Sequence, residues 1–340
     1  MTRRAVIFGC AGTEINDGER RFFAETEPAG FILFTRNCQT PDQVRILTTS
    51  LRDSISWDQA PVLIDQEGGR VARLGPPHWP RRPPAQIFAD LARQEDLAVA
   101  CEAARANARL MAADLRALGI TVNCAPVLDM PVPSAHEIIG DRAYGSDPKT
   151  IAILGRAVCE GLLAGGVLPV IKHIPGHGRA TADSHVELPV VGTALEKMRK
   201  TDFAPFVELR DMTCAMAPHI LYSELDATAP ATSSPRMIQE VIRDDIGFNG
   251  LLLSDDIGME ALSGTVGERC AAVLAAGCDI VLECSGDIKV MRAAAETVLP
   301  LTTAASNRLK RALRNIGPPK IFDPVKTTAR LTALIGARTV

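Results

Sequence analysis

The chain has 340 residues, of which 46% are apolar and 23% charged, and its formal net charge is −3. This composition is typical of globular proteins and excludes disordered, collagen-like and low-complexity chains. A net charge of −3 produces no positive electrostatic potential that would attract nucleic acid. No apolar run approaches the ~18–20 residues of a membrane helix. We therefore expect neither a nucleic-acid partner nor a membrane.

The nine cysteines are scattered through apolar segments and contain no C-x-x-C pair. An odd, dispersed set of this kind predicts reduced, buried thiols in a reducing compartment. Arg3-Arg4 followed by Ala5–Cys10 imitates a lipoprotein signal, but the apolar run is shorter than the roughly 7–15 residues of a signal core. We interpret it as a first strand and expect a cytoplasmic protein.

Short apolar runs that end in polar or glycine-rich turns alternate with helical patterns along the chain. Runs of this length suit strands that are buried on both faces, as in a parallel sheet. The predicted strands are Ala5–Cys10, Phe31–Phe34, Pro61–Ile64, Thr121–Leu128, Leu168–Ile171, Cys214–Ala217, Gly250–Leu253 and Cys278–Leu282. Helices are predicted at Leu91–Leu118, Pro235–Ile246 and Val266–Ala276.

About eight strands alternating with helices predict an α/β protein with a single-domain (β/α)₈ barrel like that of triosephosphate isomerase. The domain is expected to cover residues 1–340, with about 287–340 forming C-terminal helices packed on the barrel. The turn Gly9–Thr13 lacks the third glycine of a dinucleotide-binding fingerprint, and no Walker-type phosphate loop is present. We expect no cofactor.

Charged or polar residues follow most of the predicted strands, where a barrel places its active face. Each of them alone is as well explained by local pairing or capping, but together they converge on one rim. They are Asp65, Asp129, Lys172, His173, His219, Asp255 and Asp256.

The densest segment is Lys172–Leu188, which contains three of the six histidines. His173 and His177 have the spacing of a zinc-binding helix, but Pro175 and the glycines beside His177 prevent that helix, so no metal is expected. Asp183 and His185 are two residues apart, which lets their side chains meet in an extended loop. A carboxylate beside an imidazole makes a proton donor suited to neutral pH, although a structural loop pair is the simpler interpretation of these two residues alone.

Asp255 and Asp256 are candidates for a carboxylate nucleophile. Consecutive side chains of an extended chain face opposite sides, so one carboxylate is expected in the pocket. The other is expected to cap a helix beginning near Gly258.

Four motifs together resemble glycoside hydrolase family 3, and most closely its bacterial β-N-acetylglucosaminidases of peptidoglycan recycling. They are Asp65-Gln-Glu-Gly-Gly-Arg-Val-Ala-Arg73, Lys172-His-Ile-Pro-Gly-His-Gly, Thr181-Ala-Asp-Ser-His185 and Ser254-Asp-Asp-Ile-Gly-Met259. The resemblance runs from Gly30 to about Asp287 and includes no second, sandwich-like domain.

The resemblance implies a retaining exo-β-N-acetylglucosaminidase that acts on muropeptide fragments through a covalent glycosyl–aspartate intermediate. It matches Asp255 to the nucleophile, and Asp183 and His185 to the acid/base dyad. The residues that it matches to the sugar pocket are Asp65, Arg73, Arg142, Lys172 and His173. With only 4% aromatic residues the chain has few rings for a long glycan groove, which favours a small pocket for one terminal sugar. We also expect a small carbohydrate substrate and a monomeric protein.

Three alternatives remain open at this stage. A Schiff-base lyase would use Lys172, but the sequence places this lysine beside His173 and arginine-rich loops rather than in the apolar surroundings that lower a lysine pKa. A sugar-binding protein without turnover would not need Asp183, His185 and Asp255 together. Phosphorolysis would replace water by phosphate, since a neutral imidazole repels phosphate less than a carboxylate does. If His185 is not the acid, Glu67 is the next candidate.

Overall fold

The computed structural model describes residues 3–133, 135–184 and 186–336. The strands within these ranges are β1 (Arg4–Phe8), β2 (Pro28–Leu33), β3 (Val62–Ile64), β4 (Gln66–Gly68), β5 (Val71–Ala72), β6 (Val122–Asn123), β7 (Leu168–Pro169), β8 (Ile171–Lys172), β9 (Val190–Val191), β10 (Cys214–Ala217), β11 (Leu221–Tyr222), β12 (Leu251–Asp256) and β13 (Ile280–Glu283).

The α-helices within the same ranges are α1 (Asp17–Thr26), α2 (Pro41–Ser54), α3 (Ala85–Gln94), α4 (Leu97–Ala117), α5 (Pro148–Ala164), α6 (Leu195–Lys200), α7 (Ala204–Glu208), α8 (Val266–Ala276), α9 (Ile288–Thr297), α10 (Thr303–Arg314) and α11 (Pro324–Ile335). Short 3₁₀ turns lie at Thr35–Asn37, Gly140–Arg142 and Ala231–Ser233, and a wider helix of π type spans Met237–Asp245.

Nine of the strands form one parallel sheet that curls into a nearly closed barrel. Its order is β7-β6-β3-β2-β1-β13-β12-β10-β8. The two ends of this order, β7 and β8, are halves of one extended segment interrupted at Val170, so the nine strands occupy eight positions. Leu168 pairs with Val122 on one side, and Ile171 pairs with Ala215 on the other. The predicted (β/α)₈ barrel is confirmed.

The barrel holds together because its strands are apolar on both faces. All six residues of β2 are buried, and a cluster of phenyl rings joins β1 and β2 to α1. Phe8 lies 5.2 Å from Phe22, and Phe23 lies 5.1 Å from Phe31, between ring centroids. All nine cysteines are free thiols and seven of them are buried, as the sequence predicts.

One predicted helix is wrong in its extent. The pattern Leu91–Leu118 is not one helix, because α3 ends at Gln94 and a second helix starts after Asp96. The carboxylate of Asp96 accepts a hydrogen bond from the amide of Ala98 at 2.6 Å, and this cap starts α4 in a new direction.

The predicted strand Thr121–Leu128 is also wrong in its extent. It pairs only at Val122–Asn123, with a single further bridge from Val127 to Lys172. Pro126 has no N–H for a ladder, and the Asn123 side chain instead bonds the backbone of Gln66.

The C-terminal helices pack on the outside of the barrel. In α11, Arg330 forms an ion pair with Glu102 of α4 at 2.7 Å. Before α11, Phe322 lies under the guanidinium of Arg109, 3.6 Å from the ring centroid. No helix within the described ranges combines the length and the apolar character needed to cross a membrane.

Candidate active site

The carboxyl ends of the barrel strands surround a cavity of about 370 Å³. Seven of the eight predicted site residues line it together, although they come from six separate parts of the chain. These seven are Asp65, Arg73, Arg142, Lys172, His173, Asp183 and Asp255. His185, the eighth, lies outside the described residues.

One wall of the cavity is a network of ion pairs that are partly buried and are centred on the buried Lys172. Lys172 ends β8, and its Nζ donates to Asp65 Oδ1 at 2.9 Å and lies 2.7 Å from Glu67 Oε1. Arg142 donates two parallel hydrogen bonds to Glu67, from Nε to Oε2 at 2.8 Å and from Nη2 to Oε1 at 2.9 Å. Arg73 donates to Asp65 Oδ2 at 3.2 Å. Three cations thus face two carboxylates, and every partner limits the movement of the others.

The network fixes the charge of its members. Burial alone would raise the pKa of Glu67, but Lys172 and Arg142 outweigh burial and lower it to about 2. Burial likewise opposes charge on Asp65, yet Lys172 and Arg73 hold the pKa of this carboxyl below its ordinary value. Both groups are therefore anions at neutral pH. Glu67 cannot supply a proton, which removes it as the second candidate for the general acid.

Lys172 corrects one argument from sequence. Its side chain is 3% exposed, so it is shielded from water, which the sequence did not predict, but by charged partners rather than by apolar ones. Burial favours the neutral amine, but Asp65 and Glu67 outweigh burial and raise the pKa of Lys172 above its ordinary value. The ammonium stays protonated at neutral pH, so it is not a nucleophile for a Schiff base.

His173 is oriented from behind the cavity by Asp129. Its Nδ1 lies 2.6 Å from Asp129 Oδ2, while the other carboxylate oxygen accepts the backbone amides of His173 at 3.1 Å and His177 at 2.7 Å. Asp129 is fully buried and does not line the cavity, and it lies beyond β6, which ends at Asn123, rather than directly at a strand end as predicted. Because Nδ1 is committed to Asp129, Nε2 is the nitrogen that His173 can offer to a ligand.

Asp255 and Asp256 differ in their surroundings. Burial opposes charge on Asp255, but His173 and His219 outweigh burial and keep its pKa below the ordinary value. For Asp256, burial and the nearby Asp255 raise the pKa. Of these two neighbours, Asp255 is thus the one whose surroundings favour the charged form.

Asp256 does not cap a helix beginning near Gly258, as the sequence led us to expect. Its Oδ1 accepts the amides of Gly258 at 3.0 Å and Cys284 at 3.2 Å, and the chain forms a turn there. The next helix is α8, which begins at Val266. Asp256 thereby ties together the ends of β12 and β13, and it also lines the cavity beside Asp255, where the sequence predicted only one carboxylate.

His219 stabilises the same strand end. Its Nε2 lies 2.9 Å from the carbonyl oxygen of Asp256, which can only accept, so Nε2 carries the proton. Nδ1 lies 2.7 Å from Thr232 Oγ1 and accepts from that hydroxyl. Burial lowers the pKa of His219, and the nearby Asp255 opposes this shift.

Asp183 reaches the cavity from a loop. We call residues 181–189 the acid/base segment. The carbonyl of Asp183 accepts the amide of Val186 at 2.9 Å, and the carbonyl of Ser184 accepts the amide of Ala261 at 3.3 Å. Ser184 Oγ also lies 3.3 Å from His177 Nε2. The tip of the segment therefore touches the loop that follows the strand bearing Asp255.

The residues of the cavity wall that were not assigned to the sugar pocket from sequence include Glu67 and His177. Glu67 stands two positions after Asp65 in an extended stretch, and this spacing places both side chains on one face. His177 was considered only as a metal ligand. Burial and the neighbouring His173 lower its pKa to about 4, so it is a neutral hydrogen-bonding group. Among the described residues, no group of three or more His, Cys, Asp or Glu side chains is arranged to hold a metal ion.

Comparison with known proteins agrees with this geometry. The chain is 37% identical over 309 residues to a β-hexosaminidase of Pseudomonas aeruginosa, covering 90% of this chain and 87% of that one. Its fold is similar to that of NagZ from Neisseria gonorrhoeae in complex with N-trifluoroacetyl-D-glucosamine, with a TM-score of 0.89, 29% identity and coverage of 100% and 99% of the two chains.

A family 3 β-N-acetylglucosaminidase from Paenibacillus sp. is also similar, with a TM-score of 0.83 and 28% identity. There the match covers 97% of this chain and 66% of the other. Residues 5–316 match the model of the glycosyl hydrolase family 3 N-terminal domain. With the barrel, the charged cavity and these matches together, the chain belongs to glycosyl hydrolase family 3 and is a glycoside hydrolase.

Proposed function

We propose that the protein is a retaining exo-β-N-acetylglucosaminidase that releases terminal N-acetylglucosamine. The observation that carries this proposal is the ionised carboxylate of Asp255 in a cavity of about 370 Å³ walled by charged hydrogen-bonding groups. This volume is at the small end of the range for ligand pockets and suits one sugar unit. The curated relatives named β-hexosaminidase and the similar NagZ structure with its glucosamine ligand support the choice of sugar.

In the first step, one oxygen of Asp255 attacks the anomeric carbon, and the bond from this carbon to the leaving-group oxygen breaks. The dyad of Asp183 and His185 delivers a proton to that oxygen, so the aglycone leaves as a neutral alcohol. In the second step, water attacks the same carbon, the bond to Asp255 breaks, and the dyad accepts the proton of the water. Two displacements at one carbon leave its configuration unchanged.

The ion-paired wall would hold the hydroxyl groups of the sugar. Asp65, Lys172, Arg73 and Arg142 keep fixed positions because each is already bonded to a partner of opposite charge. A ligand that meets such preorganised groups does not have to order them first, which favours binding. His173 would add Nε2 from the same side.

We also propose the finer physiological setting that the resemblance implies. The substrate would be an N-acetylglucosaminyl-anhydromuramyl peptide from peptidoglycan recycling, hydrolysed in the cytoplasm by a monomer. Nine free thiols fit a reducing compartment. The catalytic unit would be the barrel of residues 1–340, with the helices from about 287 onward packed on it.

The proposal is tested by incubating the protein with purified N-acetylglucosaminyl-anhydromuramyl peptide and identifying the released sugar by mass. Free N-acetylglucosamine, formed first as the β-anomer, is the expected product. N-acetylglucosamine 1-phosphate, formed only when phosphate is present, would instead identify a phosphorylase. Oligosaccharides released early from intact glycan would rule out the exo mode, and binding without any product would identify a sugar-binding protein.

A further inference from the structure

The chain that leads into the acid/base segment is fixed on several sides. The hydroxyl of Tyr222 donates to the carbonyl of Gly176 at 2.7 Å, and the backbone amide of His177 donates to Asp129 at 2.7 Å. The carbonyl of Gly178 accepts the amide of Val132 at 3.2 Å. These contacts hold residues 176–178 against the barrel rim, and just before the acid/base segment the carbonyl of Ala180 accepts the amide of His136 at 2.8 Å.

Arg179 extends this support by one further, directional contact. Its Nε donates to both carboxylate oxygens of Asp202, at 3.0 and 2.8 Å, and its Nη2 donates to Thr201 Oγ1 at 3.2 Å. Thr201 Oγ1 in turn donates to Asp202 Oδ2 at 2.6 Å. The side chain of Asp202 is fully buried and that of Arg179 is 11% exposed. A buried, multiply bonded pair is stiff because neither charge can leave without losing its partner.

The Arg179–Asp202 ion pair lies where it can determine the position of the acid/base segment. Arg179 is the last charged residue before Asp183, and three small residues, 180–182, separate them. Asp202 lies on a different element, between α6 and α7, and packs so closely on Gly176 that an added Cβ would lie 3.1 Å from its own. The ion pair therefore joins the start of the segment to the outer layer of the barrel.

From this geometry we infer that Arg179 and Asp202 are positioning residues for general acid–base catalysis. They fix where the segment starts, and so place Asp183 and its dyad partner against the leaving-group oxygen. The inference rests on the proposed function above. Neither residue lines the cavity, so both act through the backbone of the segment. A misplacement of about 1 Å at a catalytic group can cost about 10²-fold in rate.

A purely structural role is the competing explanation, because removing one member of a buried pair also destabilises the fold. A double variant, Arg179→Met with Asp202→Leu, separates the two effects. It replaces the pair by apolar side chains of similar volume, which often restores stability, but it cannot restore the directional contact. Arg179→Lys serves as the conservative single variant, since it keeps the charge and loses the fork of donors.

The measurement is kcat and KM for two substrates of each variant and of the wild type. One substrate releases a sugar alcohol and requires protonation, whereas the other releases a dinitrophenolate and does not. We expect the double variant to lose about 10²-fold in kcat on the first substrate with KM little changed. On the second substrate, formation of the glycosyl-enzyme should stay within a few-fold of wild type, and azide should accelerate its turnover. Arg179→Lys should give a smaller loss with the same selectivity.

Equal losses of kcat/KM on both substrates, or wild-type kcat on the first substrate in the double variant, would overturn the inference. If the double variant does not fold, wild-type kcat of Arg179→Lys on the first substrate would overturn it in the same way. Failure of the proposed function gives a different result, because then the wild type itself would not turn over either N-acetylglucosaminide.

Discussion

The two halves of the candidate site are built in different ways. The ion-paired wall is made of side chains at or next to strand ends, and Lys172 forms ion pairs with both Asp65 and Glu67. The acid/base segment is a loop whose described contacts are mostly backbone hydrogen bonds and single side-chain contacts, with Thr181 and Val186 exposed. The barrel strands hold the ion-paired wall in place, whereas the position of the acid/base segment depends on the contacts at its two ends.

This difference matches the two tasks of a retaining glycosidase. The sugar occupies the same place in both steps, so rigid partners suit it. The acid/base group must protonate an alcohol in the first step and then activate water in the second, after the aglycone has left. The comparison predicts that substitutions in the two halves will differ in how their effect depends on the leaving group.

The largest effect is expected at Asp255, which both halves serve. Asp255→Ala should reduce kcat by roughly 10⁴-fold or more, because the covalent route is lost. The fold should survive, since the residue lies at the cavity rim rather than in the apolar core. A 5-fluoro-glycoside of N-acetylglucosamine should label wild-type Asp255, which peptide mass spectrometry can locate.

Asp256→Asn is the matched control for Asp255→Ala. It keeps the Oδ1 acceptor for the amides of Gly258 and Cys284, so the loss in kcat should stay below about 10-fold. Labelling of Asp256 in place of Asp255 would show that the nucleophile is assigned to the wrong carboxylate.

The next effect concerns the acid/base dyad. His185→Ala should reduce kcat/KM by about 10²–10⁴-fold for substrates that release a sugar alcohol, the usual contribution of general acid catalysis. With a nitrophenolate leaving group the intermediate should form and its hydrolysis should become limiting, which gives a pre-steady-state burst. Asp183→Ala should show a milder version, because the imidazole remains. Equal losses for both leaving groups would mean that His185 only shapes the loop.

The sequence could predict the strand ends better than the contacts between distant parts of the chain. Strand ends follow from apolar runs, and the barrel rule then brings Asp65, Lys172 and Asp255 to one face. It could not predict the break before Asp96, where a local cap overrides a continuous helical pattern. Nor could it separate Glu67 from a general acid, because this distinction depends on Arg142, which is 75 residues away and meets Glu67 only in the fold.

Glu67 gives the third prediction, which contrasts the two halves most directly. Glu67→Gln removes the anion between Lys172 and Arg142. These two cations then repel each other and lose their fixed positions in the ion-paired wall. We expect kcat/KM to fall by roughly 10²-fold, about 2.7 kcal/mol, mainly through KM. The loss should be the same for good and poor leaving groups.

The control for Glu67→Gln is Glu187→Gln, at an exposed glutamate of the acid/base segment, which should leave both constants unchanged. A loss confined to poor leaving groups would contradict our view of Glu67 and return it to the role of general acid.

The smallest effect on turnover is expected at Glu283, the last residue of β13. Its neighbours Leu282 and Cys284 line the cavity, whereas Glu283 itself does not. Its side chain is fully buried, and its Oε2 has no hydrogen-bond partner among the described residues. Burial raises the pKa of Glu283 from 4.5 to about 7, with a smaller contribution from Asp256. The carboxyl is therefore largely protonated in the folded protein below pH 7.

This raised pKa makes stability depend on pH. The folded state binds the proton more tightly than the unfolded chain, so the stabilising contribution is complete below about pH 4.5 and is lost as the pH rises to about 7. The full difference corresponds to about 3 kcal/mol. Glu283→Gln keeps a neutral side chain, so denaturant unfolding at pH 8 should show it to be more stable than wild type by up to this amount. The gain should vanish at pH 4.5, and kcat should be unchanged.

Glu208→Gln changes an exposed glutamate in the same way and serves as the surface control for this variant. Parallel stability curves for wild type and Glu283→Gln between pH 4.5 and 8 would show that Glu283 keeps its charge in the fold, paired through Arg36 rather than neutralised by burial.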